Sequence, residues 1–100
     1  MLSNHLARER QSRLQVAAQI GFGYTVKCAI LDRGHARGAE VHEITSTGLI
    51  VIRNAKTDTV VTILIARPGQ IRRYWEDEND IPESLMEQVL KNFYRGYNEI

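Results

Sequence analysis

The sequence predicts an α+β fold: an N-terminal helix, a four- or five-stranded antiparallel sheet wound as a meander, and a C-terminal amphipathic helix. Three observations carry this. Residues 3–20 hold no glycine or proline and are rich in helix formers. Residues 24–66 break into short β-branched runs separated by Gly- and Asp-containing turns. Leu85, Met86, Val89, Leu90, Phe93, Tyr94 and Tyr97 return to one side of a helix at 3.6-residue spacing.

The first helix runs from Ser3 or Asn4 to Ile20, with Leu6, Ala7, Leu14, Ala17 and Ala18 on one side, and Gly21 ends it. Tyr24 to Leu31 reads as a strand buried on at least one face, which makes the single cysteine, Cys28, a structural thiol. Asp32 to Gly38 is too polar and glycine-rich for regular structure and reads as a loop. Glu40 to Thr45 is the second strand, Ser46-Thr47-Gly48 a tight turn, and Leu49 to Asn54 the third strand. The four residues from Ala55 to Asp58 lead into a fourth strand, Thr59 to Ala66. With that turn length Ile52 should oppose Val61 and Ile50 should oppose Ile63, leaving Val51, Thr62, Leu64 and Ala66 on the other face. The continuous apolar character from Val60 to Ile65 suits a central strand covered on both faces.

Pro68 and Gly69 break the pattern, and Ile71 to Trp75 reads as a short final strand. Asp80 and Glu83 have the spacing of a capping box for the last helix, Pro82 is compatible with its first turn, and Gly96 stops it. The expected core joins Ile50, Ile52, Val61, Ile63 and Ile65 to Leu85, Val89, Leu90 and Phe93 of that helix.

One hundred residues, 43 % hydrophobic and 25 % charged, suit one domain, 1–100, and not a disordered chain. Thirteen Lys and Arg against twelve Asp and Glu leave a net charge of +1, so the distribution of charge matters more than its sum. Arg8, Arg10 and Arg13 cluster, Arg33 and Arg37 flank His35, and Arg67, Arg72 and Arg73 lie together, while Glu76, Asp77, Glu78 and Asp80 form an acidic run. No apolar run approaches the ~18 residues of a membrane span and the first residues are too polar for a secretory signal, so a cytoplasmic location is expected.

Phosphate-loop, dinucleotide-binding and paired-cysteine motifs are absent, which argues against ATP, NAD and structural zinc. His35 and His42 with Glu40 or Glu43 form too weak a pattern to predict a metal, and no cofactor is expected. What remains is a concentration of titratable and phosphate-compatible groups: His35, Glu40, His42, Thr62, Arg67, Gln70, Arg73 and Tyr74. Such groups suffice for RNA cleavage, because RNA supplies its own 2′-hydroxyl nucleophile. The protein then needs a base, an acid and cations at the phosphate. Each residue also has a purely structural reading: a packed strand histidine, a strand-favouring threonine, an arginine that ties down a turn, and aromatic residues that pack in the core or at its rim.

The stretches DRGHARGAEVHEIT, TGLIVIRN and TVVTILIARPGQIRRYW, spanning about the middle half of the chain, resemble small phage- and mobile-element-associated proteins of the barnase, EndoU, colicin and RelE-like ribonuclease fold. The resemblance implies a helical N-terminal part packed on a four- or five-stranded antiparallel sheet and metal-independent cleavage of RNA. It places His35 and His42 in acid–base roles, Thr62 and Arg67 at the phosphate, and Arg33, Arg37, Gln70, Arg72, Arg73 and Tyr74 in RNA contact. It also implies an antitoxin or immunity protein as a partner. The chain departs from many such toxins in lacking a strong positive charge. The alternatives are a non-catalytic module that binds RNA or protein, and an interaction protein that forms a homodimer through its tyrosine-bearing last helix.

Overall fold

The computed structural model describes residues 11–32 and 38–97. Its elements are helix α1 (Gln11–Ile20), strands β1 (Thr25–Asp32), β2 (Ala39–Thr45), β3 (Leu49–Asn54) and β4 (Val60–Ile65), a short helix α2 (Pro68–Arg72), a 3-10 turn (Glu78–Asp80), and helix α3 (Glu83–Tyr94). The strands form one antiparallel sheet in the order β1-β2-β3-β4, the meander that the sequence predicts. The predicted start of α1 at Ser3 or Asn4 lies outside the described residues, as does the loop residue His35 with its flanking Arg33 and Arg37.

Both faces of the sheet carry a core. On one face Ile44, Ile50, Ile52 and Ala66 pack with Ile71 of α2 and Leu85 and Val89 of α3. On the other, Leu49, Ile63 and Ile65 pack with Val16 and Ala17 of α1, and Tyr97 joins them. β4 is therefore covered on both faces, as its apolar sequence suggests, although it lies at an edge and not in the centre.

The expected pairing of β3 with β4 is corrected by one residue. Arg53 does pair with Val60, as a four-residue connection dictates, but a bulge then makes Ile52 oppose Thr62, Ile50 oppose Leu64 and Val51 oppose Ile63. One extra residue in one strand exchanges the faces of everything beyond it. Ile50 and Ile52 thus share a face with Thr62 and Leu64, while Ile63 and Ile65 turn to α1. Two residues shape the connection: Asn54 Oδ1 accepts hydrogen bonds from the backbone N–H of Lys56 (2.9 Å) and Thr57 (3.0 Å), and Asp58 adopts a left-handed φ of 57°.

The β2–β3 turn is the most constrained. Gly48 has φ +88°, and a Cβ there would lie 2.9 Å from Asn92 Nδ2. The close approach serves a buried contact: Asn92, with no exposed surface, donates from Nδ2 to the Thr47 carbonyl at 3.0 Å. Thr45 Oγ1 accepts from the Leu49 N–H at 3.0 Å, so this buried hydroxyl is also paired.

Four further expectations are corrected. Residues 71–75 form no fifth strand, because Pro68 begins a helix and the Gln70 side chain accepts the Arg67 N–H at 2.9 Å. Asp80 does not cap α3: it belongs to the turn that Asp77 caps by accepting the Asn79 N–H, and Pro82 is the residue before the helix. Leu90 and Phe93 are exposed, since the buried stripe of α3 runs through Leu85, Val89 and Asn92. Cys28 is exposed, because β1 is an edge strand and α1 packs on β3 and β4 at the other end of the same face.

Candidate functional site

Register assembles the candidate site. Ala29 pairs with His42, His42 with Ile52 and Ile52 with Thr62, so these four residues form one row across all four strands on a single face. Residues directly opposed in antiparallel strands point the same way. His42 and Thr62 therefore flank Ile52, and Thr62 holds its place only because of the bulge at Ile52/Arg53.

The segment from Pro68 to Trp75 lies over this row. Ile71 anchors it in the core. The Tyr74 hydroxyl is 2.7 Å from His42 Nδ1, with the two ring centroids 5.9 Å apart, and Lys27 Nζ sits 5.0 Å from the centre of the Trp75 ring. His42 is 2 % exposed. Its other nitrogen, Nε2, lies 3.4 Å from Glu40 Oε1, two positions along the same strand face. A neutral imidazole that donates its Nε2–H to this carboxylate has Nδ1 left as an acceptor, and the Tyr74 hydroxyl then donates to it. Two residues along the row, beyond Ile52, Thr62 Oγ1 is buried without a hydrogen-bond partner among the described residues.

The sequence-predicted residues separate into three groups. His42, Thr62 and Tyr74 are brought to one face. Arg67, Gln70, Arg72 and Arg73 lie in the segment that leads to Tyr74; the three arginines are exposed, and Gln70 is half-buried with its side chain engaged as a cap. Arg72 Nε approaches Glu78 Oε2 only to 4.0 Å between two exposed side chains. His35, Arg33 and Arg37 lie outside the described residues. No group of three or more His, Cys, Asp or Glu able to hold a metal occurs among the described residues.

A second polar cluster, which sequence reasoning missed, occupies the opposite face. Arg53 pairs with Glu43 and, at 2.7 Å, with Asp58 Oδ1, while Thr25 Oγ1 donates to Glu43 Oε2 at 3.3 Å. It links β1, β2 and β3 and the connection after β3, and reads as structural. Alternation within β2 and β3 places Glu43 and Arg53 on one face, but only the register brings them together. Asn92 was missed as well, because a lone asparagine beside an apolar helical stripe carries no signal of the carbonyl it will meet.

No helix among the described residues is long and apolar enough to cross a membrane. In comparisons with known proteins, the chain matches no family model, no curated protein and no solved structure.

Proposed function

We propose that the chain binds RNA on the sheet face that carries His42 of β2 and Thr62 of β4, beneath the Pro68–Trp75 segment, and cuts it without a metal through the RNA 2′-hydroxyl. One observation carries this reading: His42, Glu40, Tyr74 and a Thr62 hydroxyl that has no hydrogen-bond partner among the described residues share one sheet face, and the exposed Arg67 follows the same strand as Thr62. A buried hydroxyl without a partner is uncommon in a folded protein and calls for an explanation, of which a catalytic role is one.

In this mechanism His42 takes the proton of the 2′-hydroxyl as its oxygen bonds to phosphorus. The bond from phosphorus to the 5′-oxygen breaks, and His35 returns a proton to that leaving oxygen, a role resting on the residue pattern alone. Thr62 donates to the phosphate, and Arg67 stabilises its added charge. Arg33, Arg37, Gln70, Arg72, Arg73 and Tyr74 hold the strand. Tyr74 stands over His42, so RNA reaches the imidazole only when the Tyr74 segment moves aside. Such an activity in the cytoplasm would require an antitoxin or immunity protein, which belongs to the same proposal.

Incubation with a mixed RNA pool, with and without a chelator, tests the reading. Expected are cuts in both conditions, products ending in a cyclic phosphate, and loss of cutting but not of affinity in His42→Gln. Replacing Arg67, Arg72 and Arg73 by alanine should weaken binding and flatten its salt dependence, because fewer counterions are released. The burial of His42 favours a second reading, a non-catalytic module on the same surface. Salt-dependent RNA affinity with no cleavage would establish that reading and end the first.

A further inference from the structure

The least protected element of the fold is β1. Of the seven large hydrophobic residues exposed among the described ones, Phe22, Tyr24, Ile30 and Leu31 belong to β1 or to the segment that leads into it, and Ile30 is 71 % exposed. β1 ends the strand order, and no further strand among the described residues pairs with its outer edge. An edge strand is ordinarily blunted by a bulge, a lysine or a proline. Here the bulge and Lys27 lie in the first half of β1, and the half from Cys28 to Asp32 is regular and has neither lysine nor proline.

We propose that β1 pairs antiparallel with β1 of a second copy of this chain, joining two four-stranded sheets into one sheet of eight strands. The two-fold axis of such a pair stands normal to the sheet, so each face continues into the same face of the partner. Cys28 and Ile30 of both copies then lie side by side on the face that carries α1, beyond the strands that α1 covers, while Ala29 and Leu31 line the other face. The strand carries one cation, Lys27, and one anion, Asp32, so two copies meet without net charge. With the axis at Cys28 or at Ala29, neither charged residue faces its own counterpart. A contact built on one strand from each side is at the small end of specific interfaces, about 1,200 Å² or less in total, which makes the dimer dependent on concentration.

Sedimentation equilibrium of the full chain from about 1 μM to about 1 mM spans the range in which such a contact forms. The mass should rise from 11.4 kDa towards twice that value. Ile30→Lys, a change at an exposed side chain, should hold the mass at 11.4 kDa throughout. A short bismaleimide linker should join Cys28 to the partner's Cys28 in the unaltered chain and fail to do so in Ile30→Lys. An unaltered chain that stays monomeric at the highest concentration would overturn the proposal. So would an Ile30→Lys chain that associates equally well, or a mass that climbs beyond two chains, which would mean open-ended association. Ile30 faces away from His42, so none of these outcomes depends on the RNA reading.

Discussion

Replacing Thr62 by valine separates a structural threonine from a functional one, because the two roles predict opposite changes. Valine matches threonine in shape and in its preference for strands, so the exchange removes a hydroxyl and supplies a methyl in its place. Thr62 Oγ1 is buried and has no hydrogen-bond partner among the described residues. Removing an unsatisfied buried hydroxyl relieves a desolvation cost of about 1–3 kcal/mol, and the new methyl adds up to ~0.8 kcal/mol of apolar burial. Thr62→Val should therefore stabilise the fold by about 1–4 kcal/mol, whereas most core substitutions destabilise. In urea the midpoint should rise with an unchanged slope, and in a thermal scan the Tm should rise by about 4–8 °C for each kcal/mol. If the hydroxyl serves RNA chemistry, the same variant should lose cleavage as it gains stability. A variant less stable than the original would refute the reasoning, since it would mean that Oγ1 has a partner whose loss outweighs the relief.

Three other perturbations test the packing and the site. Ile71→Ala, at a position with no exposed surface, should cost about 2–5 kcal/mol in urea unfolding, and a change under about 1 kcal/mol would show that α2 is not held by this side chain. Tyr74→Phe removes the hydroxyl that meets buried His42 and should cost about 1–3 kcal/mol, read by the same assay. Gly48→Ala forces a Cβ towards Asn92 at a left-handed φ and should destabilise by about 1–3 kcal/mol, whereas an unchanged midpoint would contradict the close approach of this turn to α3.

The fold class, the meander and its turns were legible because each rests on local chemistry. Gly48 must follow a tight turn, Asn54 and Asp58 favour the conformations of the next one, and Gly96, at φ +77°, ends the last helix as its position suggests. What escaped was set by partners distant in sequence. The tyrosine and tryptophan of residues 71–75 favour a strand by propensity, but Pro68 at a helix start and the Gln70 cap commit the segment to a helical turn. Leu90 and Phe93 have the right spacing for a core. Two neighbouring stripes share α3, however, and the docking that buries Leu85, Val89 and Asn92 leaves the other stripe exposed. Cys28 has the apolar neighbours of a buried strand, yet among the described residues β1 has only one sheet neighbour, and α1 packs on the far strands.

The bulge between Ile52 and Arg53 has the greatest weight of these features for the candidate site. Counting from the turn without it, Thr62 belongs to the α1 face, beyond reach of His42, and the candidate residues never share a surface. With it, the same alternation continues one residue out of phase, Thr62 lines up with Ile52 and His42, and Ile63 takes its place against α1. The composition of β4 tolerates either phase, since Val60 to Ile65 is apolar on both sides apart from Thr62 itself. A strand that is greasy in both directions can therefore be shifted by a single residue at little hydrophobic cost, and the consequence falls on its one hydroxyl. The residue types of the site could be read from the sequence, whereas their convergence depends on a backbone irregularity for which β4 shows no proline, glycine or charge.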